Sequence, residues 1–567
     1  LRGYILIAVL WCVVQAAGLE TISVAYADAE ATSAPVAPAP PIGLRKLPWE
    51  TDSPSIEPAS PASAEEAPLA PRDVEMSPAA QEPASEPASR EASDEPQVPP
   101  HPTVAIIRKK LADPRVTQDA DGNDVAALQA FYRAWGEPPL WITEMGFSAK
   151  AQAVLLEIDR AEAWGLDGEV FTLPDPNALP ANEEARALAE IALDLAILKY
   201  ARLAGGGRHV PSEISDLFDQ TPALRAPDTV IADIAAAEAP DSYLQSLHPQ
   251  HAQFAGLRKA LAEAREAEKP NEIDIRRLVI NMERWRWMPD DLGPFHVLLN
   301  TPEFMLYVMK DGEEIYRDKT LVGTIGYPTP VFSADLETIV FNPDWVAPPS
   351  VLRDKLLPAL KRKNYNILKS NKMTVSLNGK RVDPAKVNWN RVNIHSYTFR
   401  QQAGPKNVLG KAKFLYPNKH VVYMHDTLPP RKKVFKKDMR AIGYGCVRME
   451  RPQSFAALML DEDHELPKSK VAKMWKTGVN KAVTMESKPP VHTTYFTAVV
   501  DEEGTVKTFK DLYGLDRKHA VALFGGPQGF PLPPPEPKRE PARHNVASTA
   551  PTQAQSGSWS NALGFGD

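Results

Sequence analysis

Cysteine is almost missing from this chain of 567 residues: Cys12 and Cys446 are the only two. A zinc site built on paired thiolates is excluded, because no second cysteine and no close His/Cys pair accompanies either one. Serine-nucleophile chemistry of the GxSxG type has no matching motif. Long apolar runs are lacking as well. The longest N-terminal stretch, from Tyr4 to about Val14, falls short of the ~20 residues a membrane span needs. That stretch follows Arg2 and leads to Ala25-Tyr26-Ala27, so residues 1–27 read as a secretory signal cut after Ala27, with a retained anchor as the weaker alternative. Cleavage would remove Cys12 and leave Cys446 alone. The protein is then expected outside the cytoplasm, in the periplasm, with no internal disulfide.

Large apolar residues are nearly absent from residues 28–103, as in EPASPASAEEAPLAPRD. Such a Pro/Ala/Glu-rich segment cannot bury a core and reads as a disordered linker. Residues 517–567 read as a second Pro-rich disordered tail. Many of the 55 prolines fall in these two segments, so the net charge of −7 describes linkers as much as surface.

Between them the pattern is that of an α+β protein. ALQAFYRAWG (127–136), SAKAQAVLLEIDRAEAWG (148–165), EEARALAEIALDLAILKYARLAGG (183–206) and FAGLRKALAEAREAEK (254–269) repeat apolar residues at helical spacing. They predict a helical scaffold domain over 104–274. From about Val279 the period changes to two. FHVLLN (295–300), FMLYVMK (304–310), EEIYRDKTLVG (313–323), LETIVF (336–341), VVYMH (421–425) and YFTAVVD (495–501) predict a mixed, mostly antiparallel β domain over 275–516, with Asp311-Gly312 as a hairpin turn. An insertion of different character lies inside it and contains a helix over 349–364. Insertions of this length are often lids or binding loops.

Residues 351–451 carry 24 Lys+Arg against 5 Asp+Glu. Nucleic acid is one partner for such a surface, but an exported chain argues against it. An anionic polymer outside the cytoplasm, such as peptidoglycan with its carboxylate-bearing stems, fits both facts. A merely solvated basic face is the plainest alternative.

Cys446 sits in AIGYGCVRME (441–450), twenty-one residues after His425. If the intervening segment loops back, His425 could take the thiol proton and pass it to a leaving amine. Gly443 and Gly445 would permit a tight turn whose backbone N–H groups could hold an oxyanion. A helix over 451–460 would point its N-terminus toward the thiol. Asp426 could orient the imidazole through its carbonyl or its carboxylate. Arg448 could grip a substrate carboxylate or simply pair with Asp438 or Glu450. By themselves one Cys and one His at this distance are a weak signal, since a lone histidine is more often structural than catalytic.

VVYMHDT…RAIGYGCVRME resembles the catalytic motif of the L,D-transpeptidases (YkuD-like fold), nearest to their large periplasmic, YcbB-like branch. NMERWRWMP (281–289), TPVFSADLETIVFNPDWVAPPSVLRDKLLP (329–358), RQQAGPKNVLGKAKFLYPNKHVVYMHDT (400–427) and DLYGLD (511–516) agree. LWITEMGFS, AEAWGLDGE and LDLAILKYARLAGGG resemble that branch's helical scaffold. The resemblance implies Cys446 as nucleophile, His425 as general base and acid, Asp426 orienting that histidine by its backbone, and Gly445 in the oxyanion-hole backbone. It implies Arg448, Tyr423, Tyr444, Asn407 and Phe414 as substrate-binding residues and a capping subdomain over about 343–414. The implied reaction forms a thioester with a peptidoglycan tetrapeptide stem, releases D-Ala and makes a 3-3 cross-link, with no metal and no cofactor. Hydrolysis, D-amino-acid exchange, protein anchoring and a non-catalytic wall-binding scaffold are the alternatives. Gly443 departs from the serine of smaller members, and the short peptidoglycan-binding module usual in the large branch is not seen between scaffold and catalytic domain.

Overall fold

The computed structural model describes residues 101–177 and 179–533. The expected signal segment, Cys12, nearly all of the 28–103 linker and the tail beyond 533 lie outside the described residues. Among the described residues no helix is long and apolar enough to cross a membrane.

The scaffold is a helical layer around one core. Its longest helix, Glu183–Gly206, starts where the Asn182 side chain accepts from Ala185 N–H and ends at Gly207 with φ 78°. These are a side-chain N-cap and a glycine stop at positive φ. One face buries Ala187, Ile191, Ala196, Ile197 and Tyr200 against Val104, Leu128, Val154 and Ile158. Two acids of this helix are also buried. Glu190 accepts from Trp141 and Ile142 N–H, and Asp194 accepts from Trp141 Nε1 at 2.7 Å. Tyr132 donates to both carboxyls, which ties the 140–142 turn to the helix.

The period change expected near Val279 comes later. Glu272–Arg286 is a helix, and every residue from Leu278 to Arg286 is buried. A helix enclosed on all sides loses its polar face, so its period is hard to read. It bolts scaffold to sheet. Trp285 stacks on Phe496 at 4.5 Å, Asn281 exchanges hydrogen bonds with Thr497, and Arg284 donates to Asp516 at 2.6 Å. Asp516 belongs to the helix Leu515–Phe524. Ordered structure therefore runs through the boundary expected at 516/517.

The catalytic-side sheet is mixed and mostly antiparallel. Its strands are β1 (Phe295–Asn300), β2 (Met305–Lys310), β3 (Glu313–Gly323), β4 (Phe332–Asp335), β5 (Thr338–Phe341), β6 (Ala412–Leu415), β7 (Met424–His425), β8 (Ala441–Gly443), β9 (Val447–Met449), β10 (Lys481–Thr484) and β11 (Pro490–Thr494). They lie in the order β10-β5-β6-β7-β9-β3-β2-β1-β11-β4, with β8 beside β3. Three pairs are parallel: β7 with β9, β8 with β3 and β11 with β1. The core face carries Phe414, Met424, Val447 and Met449 against Phe455 and Met459 of the helix Pro452–His464.

VVYMH yields a strand only at Met424–His425. Asn418 explains the loss. Its side chain accepts from His420 and Val422 N–H and donates to the Val422 carbonyl. The chain is held in a turn, with Val421 at φ 57°.

Between β5 and β6 a separate small sheet forms the cap, from Met373–Leu377, Lys380–Arg381, Tyr397–Gln401 and Trp345–Val346. It has its own core, including Trp345, Leu356, Leu360, Trp389 and Phe399. Its far end comes earlier than 414, since β6 belongs to the main sheet. The helix expected over 349–364 is broken by a π turn at Leu352–Leu356. Pro358 follows and has no N–H to give to the carbonyl four residues back, so the regular ladder cannot form there.

The Arg284–Asp516 pair is 3% and 1% exposed. Arg284→Ala would strand a buried carboxylate between the two domains. Denaturant unfolding should show a loss of about 3–5 kcal/mol.

Candidate active site

Three neighbouring strands, β6, β7 and β9, build the site. In the β7–β9 pair Met424 lies opposite Val447 and His425 opposite Arg448. Val447 N–H donates to the Tyr423 carbonyl, which extends the ladder toward Cys446. Side chains alternate across a strand. Met424 and Val447 therefore enter the core, while Tyr423, His425, Cys446 and Arg448 share the other face. The antiparallel β6–β7 pair adds Lys413 opposite His425. Lys413, His425 and Arg448 thus form one row, with Tyr423 and Cys446 in the row beside it.

His425 is 4% exposed. Its Nδ1 meets the Asp426 carbonyl oxygen at 2.7 Å. A carbonyl only accepts, so Nδ1 carries the hydrogen and Nε2 keeps its lone pair. Burial first, then Arg448 and Lys413, pull the imidazole down to about 3. It is neutral at ordinary pH.

The Asp426 carboxylate does not touch the imidazole. It accepts from Lys411 and Thr427 N–H at 2.9 and 2.6 Å. A Cβ at Gly410 would come within 2.4 Å of that carboxylate, so glycine is required at this turn out of the cap. Asp426 thereby ties the end of the cap to the strand that carries His425.

Cys446 is partly exposed, its Sγ 4.0 Å from the Val421 carbonyl. Burial pushes the thiol up, opposed by hydrogen bonding from Tyr423 and by the charges of Arg448 and Lys413. Gly445 has φ 90°, a conformation open to glycine and strained for other residues. Its carbonyl accepts from Thr329 Oγ1 at 2.8 Å, and that hydroxyl accepts from Gly323 N–H. Tyr513 closes the network by donating to Gly323 O and accepting from Thr329 N–H. Among the described residues no hydrogen bond occupies the N–H of Gly445 or Cys446. Gly443 plays a different part from Gly445. It pairs with Gly323, and a Cβ there would meet Val322 O at 2.9 Å.

The cap closes over this face. Tyr423 packs against the cap core that contains Trp345. Tyr444 lies against Tyr327 at 4.4 Å between ring centres, with the Lys355 ammonium 5.9 Å from its ring. Tyr327 donates to Asp354. The π turn thus reaches the loop beside the thiol.

Two expected binding residues are spent inside the fold. Phe414 is fully buried on the core face, edge-on to Phe455, because β6 pairing turns it away from Lys413. Asn407 is 1% exposed and donates to the carbonyls of Pro343, Gln401 and Gln402, so it fastens the cap return. The helix after Cys446 begins at Pro452, beyond the far end of β9. Its N-terminal Arg451 N–H is already taken by Asp318 at 2.8 Å, so its dipole faces that acid and not the thiol. Lys413, Thr329, Tyr513 and Trp345 were not singled out from the sequence. All four stand within the stretches that carry the family resemblance or beside the strand pattern, yet pairing alone reveals their direction. Among the described residues no cluster of three or more His, Cys, Asp or Glu side chains could hold a metal.

Comparison with known proteins agrees with this architecture. Residues 126–261 match the Scaffold domain and residues 294–472 the L,D-transpeptidase catalytic domain, YkuD. A Haemophilus influenzae protein that carries the L,D-transpeptidase name is 34% identical over 251 residues, 43% of this chain and 49% of that protein. The chain thus spans about half the length of this curated relative. An L,D-transpeptidase from Mycobacterium smegmatis superposes with a TM-score of 0.18 at 11% identity, over 35% of this chain and 58% of its own. The avibactam carbamoyl form of Ldtfm gives 0.17 at 9%, over 36% and 49%. Scores this low fix no residue correspondence. By these two matches a Scaffold domain precedes an L,D-transpeptidase catalytic domain in this chain.

Proposed function

We propose that this protein is a peptidoglycan L,D-transpeptidase that uses Cys446 as nucleophile and acts outside the cytoplasm. The observation that carries the reading is the single face shared by Tyr423, His425, Cys446 and Arg448, set by the β7–β9 register. The basic surplus around the cap suits an anionic wall polymer.

The chemistry follows from the groups present. Cys446 Sγ attacks the carbonyl after the L-centre of diaminopimelate in a tetrapeptide stem, and its proton passes to His425 Nε2. The oxyanion is met by the N–H groups of Gly445 and Cys446. The depressed basicity of His425 makes its imidazolium a ready acid, which protonates the departing D-Ala amine. A thioester remains. The side-chain amine of a neighbouring stem attacks it, its proton leaves through His425, and Cys446 departs as the thiol. The product is a 3-3 cross-link between diaminopimelate residues.

Incubation with tetrapeptide muropeptides, read by mass, tests this. Cross-linked dimers are expected from the native protein and none from Cys446→Ala. Tripeptides alone would make water the acceptor, and no turnover would leave a wall-binding scaffold. Gly445→Ala should lower the cross-linking rate by about 10²–10³-fold, the cost of one misplaced oxyanion donor. Its strain should cost only about 1–3 kcal/mol of stability, measured by denaturation of the same sample.

A further inference from the structure

Lys413 has an unusual position for a lysine. β6 pairing places it on the site face directly opposite His425, while its neighbour Phe414 enters the core. The side chain is partly buried, and its ammonium lies 5.5 Å from the centre of the Tyr423 ring. Among the described residues it makes no hydrogen bond and no ion pair. Lysine is seldom withdrawn from water without a partner, because an unpaired ammonium forfeits hydration with no return. Asp344 is the carboxylate felt at Lys413. It is already committed to Arg400 at 3.1 Å and to Ala403 N–H at 3.0 Å. The remaining group on this face that can become an anion beside Lys413 is Cys446.

Resting on the reading of Cys446 as nucleophile, we propose that Lys413 is the charge partner of the Cys446 thiolate, completing with Arg448 a cationic frame around the sulfur. The geometry explains what the histidine cannot supply. An imidazolium at His425 would stand between two cations in one row of the sheet, Lys413 on one side and Arg448 on the other. A stable imidazolium–thiolate pair is therefore disfavoured. The same two cations lower the energy of negative charge on the sulfur one row away. They thus hold the imidazole neutral with Nε2 open, and they favour the form of cysteine that attacks.

The other groups facing the sulfur are consistent with this division. Tyr423 and Tyr416 both lie within its field, and burial raises both phenols, so they stay neutral. His425 is neutral, and Arg448 is permanently charged. Exchange of the Lys413 side chain would leave the backbone ladder, the core and the imidazole's bond to Asp426 untouched. Burial draws its ammonium down, and the cysteine anion opposes that shift in part.

The test is the pH dependence of iodoacetamide alkylation at Cys446 in the full chain, followed by mass of the Cys446 peptide so that Cys12 does not contribute. The variants are Lys413→Met, which keeps the length without the charge, and Lys413→Arg, which keeps the charge. Cys446→Ala is the blank, and thermal unfolding is run on each. The alkylation profile of Lys413→Met should move up by about one pH unit, which is about a tenfold slower rate at pH 7. Lys413→Arg should restore the native profile, and the unfolding temperature of Lys413→Met should not fall. A Lys413→Met profile that overlays the native one overturns the proposal, even if its KM for tetrapeptide rises. That outcome would make Lys413 a substrate contact instead. Lys413→Arg matching Lys413→Met would overturn it as well. If the native protein is not alkylated at any pH, both the nucleophile reading and the role of Lys413 fall.

Discussion

The parallel pairing of Met424–His425 with Val447–Met449 is the constraint on which the site depends. Backbone hydrogen bonds fix that register, and side-chain direction follows from it with a period of two. A slip of one residue would send Cys446 or His425 into the core and bring Met424 or Val447 to the surface. The core prevents the slip. Met424 and Val447 are both fully buried, packed with Phe414 and Met449 under the helix Pro452–His464. The hydrophobic face thus sets the chemistry on the opposite face, and deleting core volume there would loosen a geometry it never touches. Parallel neighbours also require a long crossover. Residues 426–446 supply it, through the 3₁₀ turns at Pro429–Lys436 and the short strand β8 beside β3.

A second layer of contacts holds the loop before the sulfur. Gly445 occupies a conformation that an L-residue resists, and the Thr329 hydroxyl grips its carbonyl from beneath. Thr329 is itself held by Gly323 and Tyr513, so β3, the loop after it and the C-terminal segment all converge on one peptide unit. Fixing the carbonyl fixes the direction of the next N–H, which is the donor an oxyanion would need. The cap acts from the other side. Trp345 and the π turn reach Tyr423, Tyr327 and Tyr444, so a substrate of the proposed reaction would have to fit between the sheet and an insertion with its own core.

The helices with one wet face were legible in the sequence, because their apolar spacing is undiluted. The 183–206 helix is bounded by the residues the pattern marks. β1 and β3 were equally plain. The helix at 272–286 was not, since burial on every side erases the polar half of its period. VVYMH reads as a strand on propensity, but the Asn418 side chain competes for its backbone groups and wins over residues 418–422. In the site, motif and spacing single out Cys446 and His425 but leave the carbonyl and carboxylate of Asp426 as alternatives; the family resemblance points to the carbonyl, and that is the oxygen the imidazole meets. Asn407 and Phe414 could not be judged that way. A residue next to a motif faces the site or the core according to a pairing partner far along the chain, and for Phe414 that partner is Met424. Lys413 escaped for the same reason, in the opposite sense.

For the proposed mechanism, that pairing also bears on how a buried, weakly basic histidine could serve a cysteine at all. An imidazole pulled to about 3 is a poor resting base, and a thiol raised by burial is a reluctant acid. Direct proton exchange between them at rest would be uphill. The row of charges changes the balance only when the sulfur becomes negative, because the cations that repel an imidazolium attract a thiolate. In the proposed reaction, proton transfer would be favoured in concert with attack, when sulfur charge moves to a carbonyl oxygen near two backbone N–H groups, and the imidazolium would persist only until an amine is within reach. A histidine with ordinary basicity would hold that proton longer and stall the departure of the amine. Weak basicity in the free site and fast proton delivery in the loaded one are therefore two consequences of the same flanking charges.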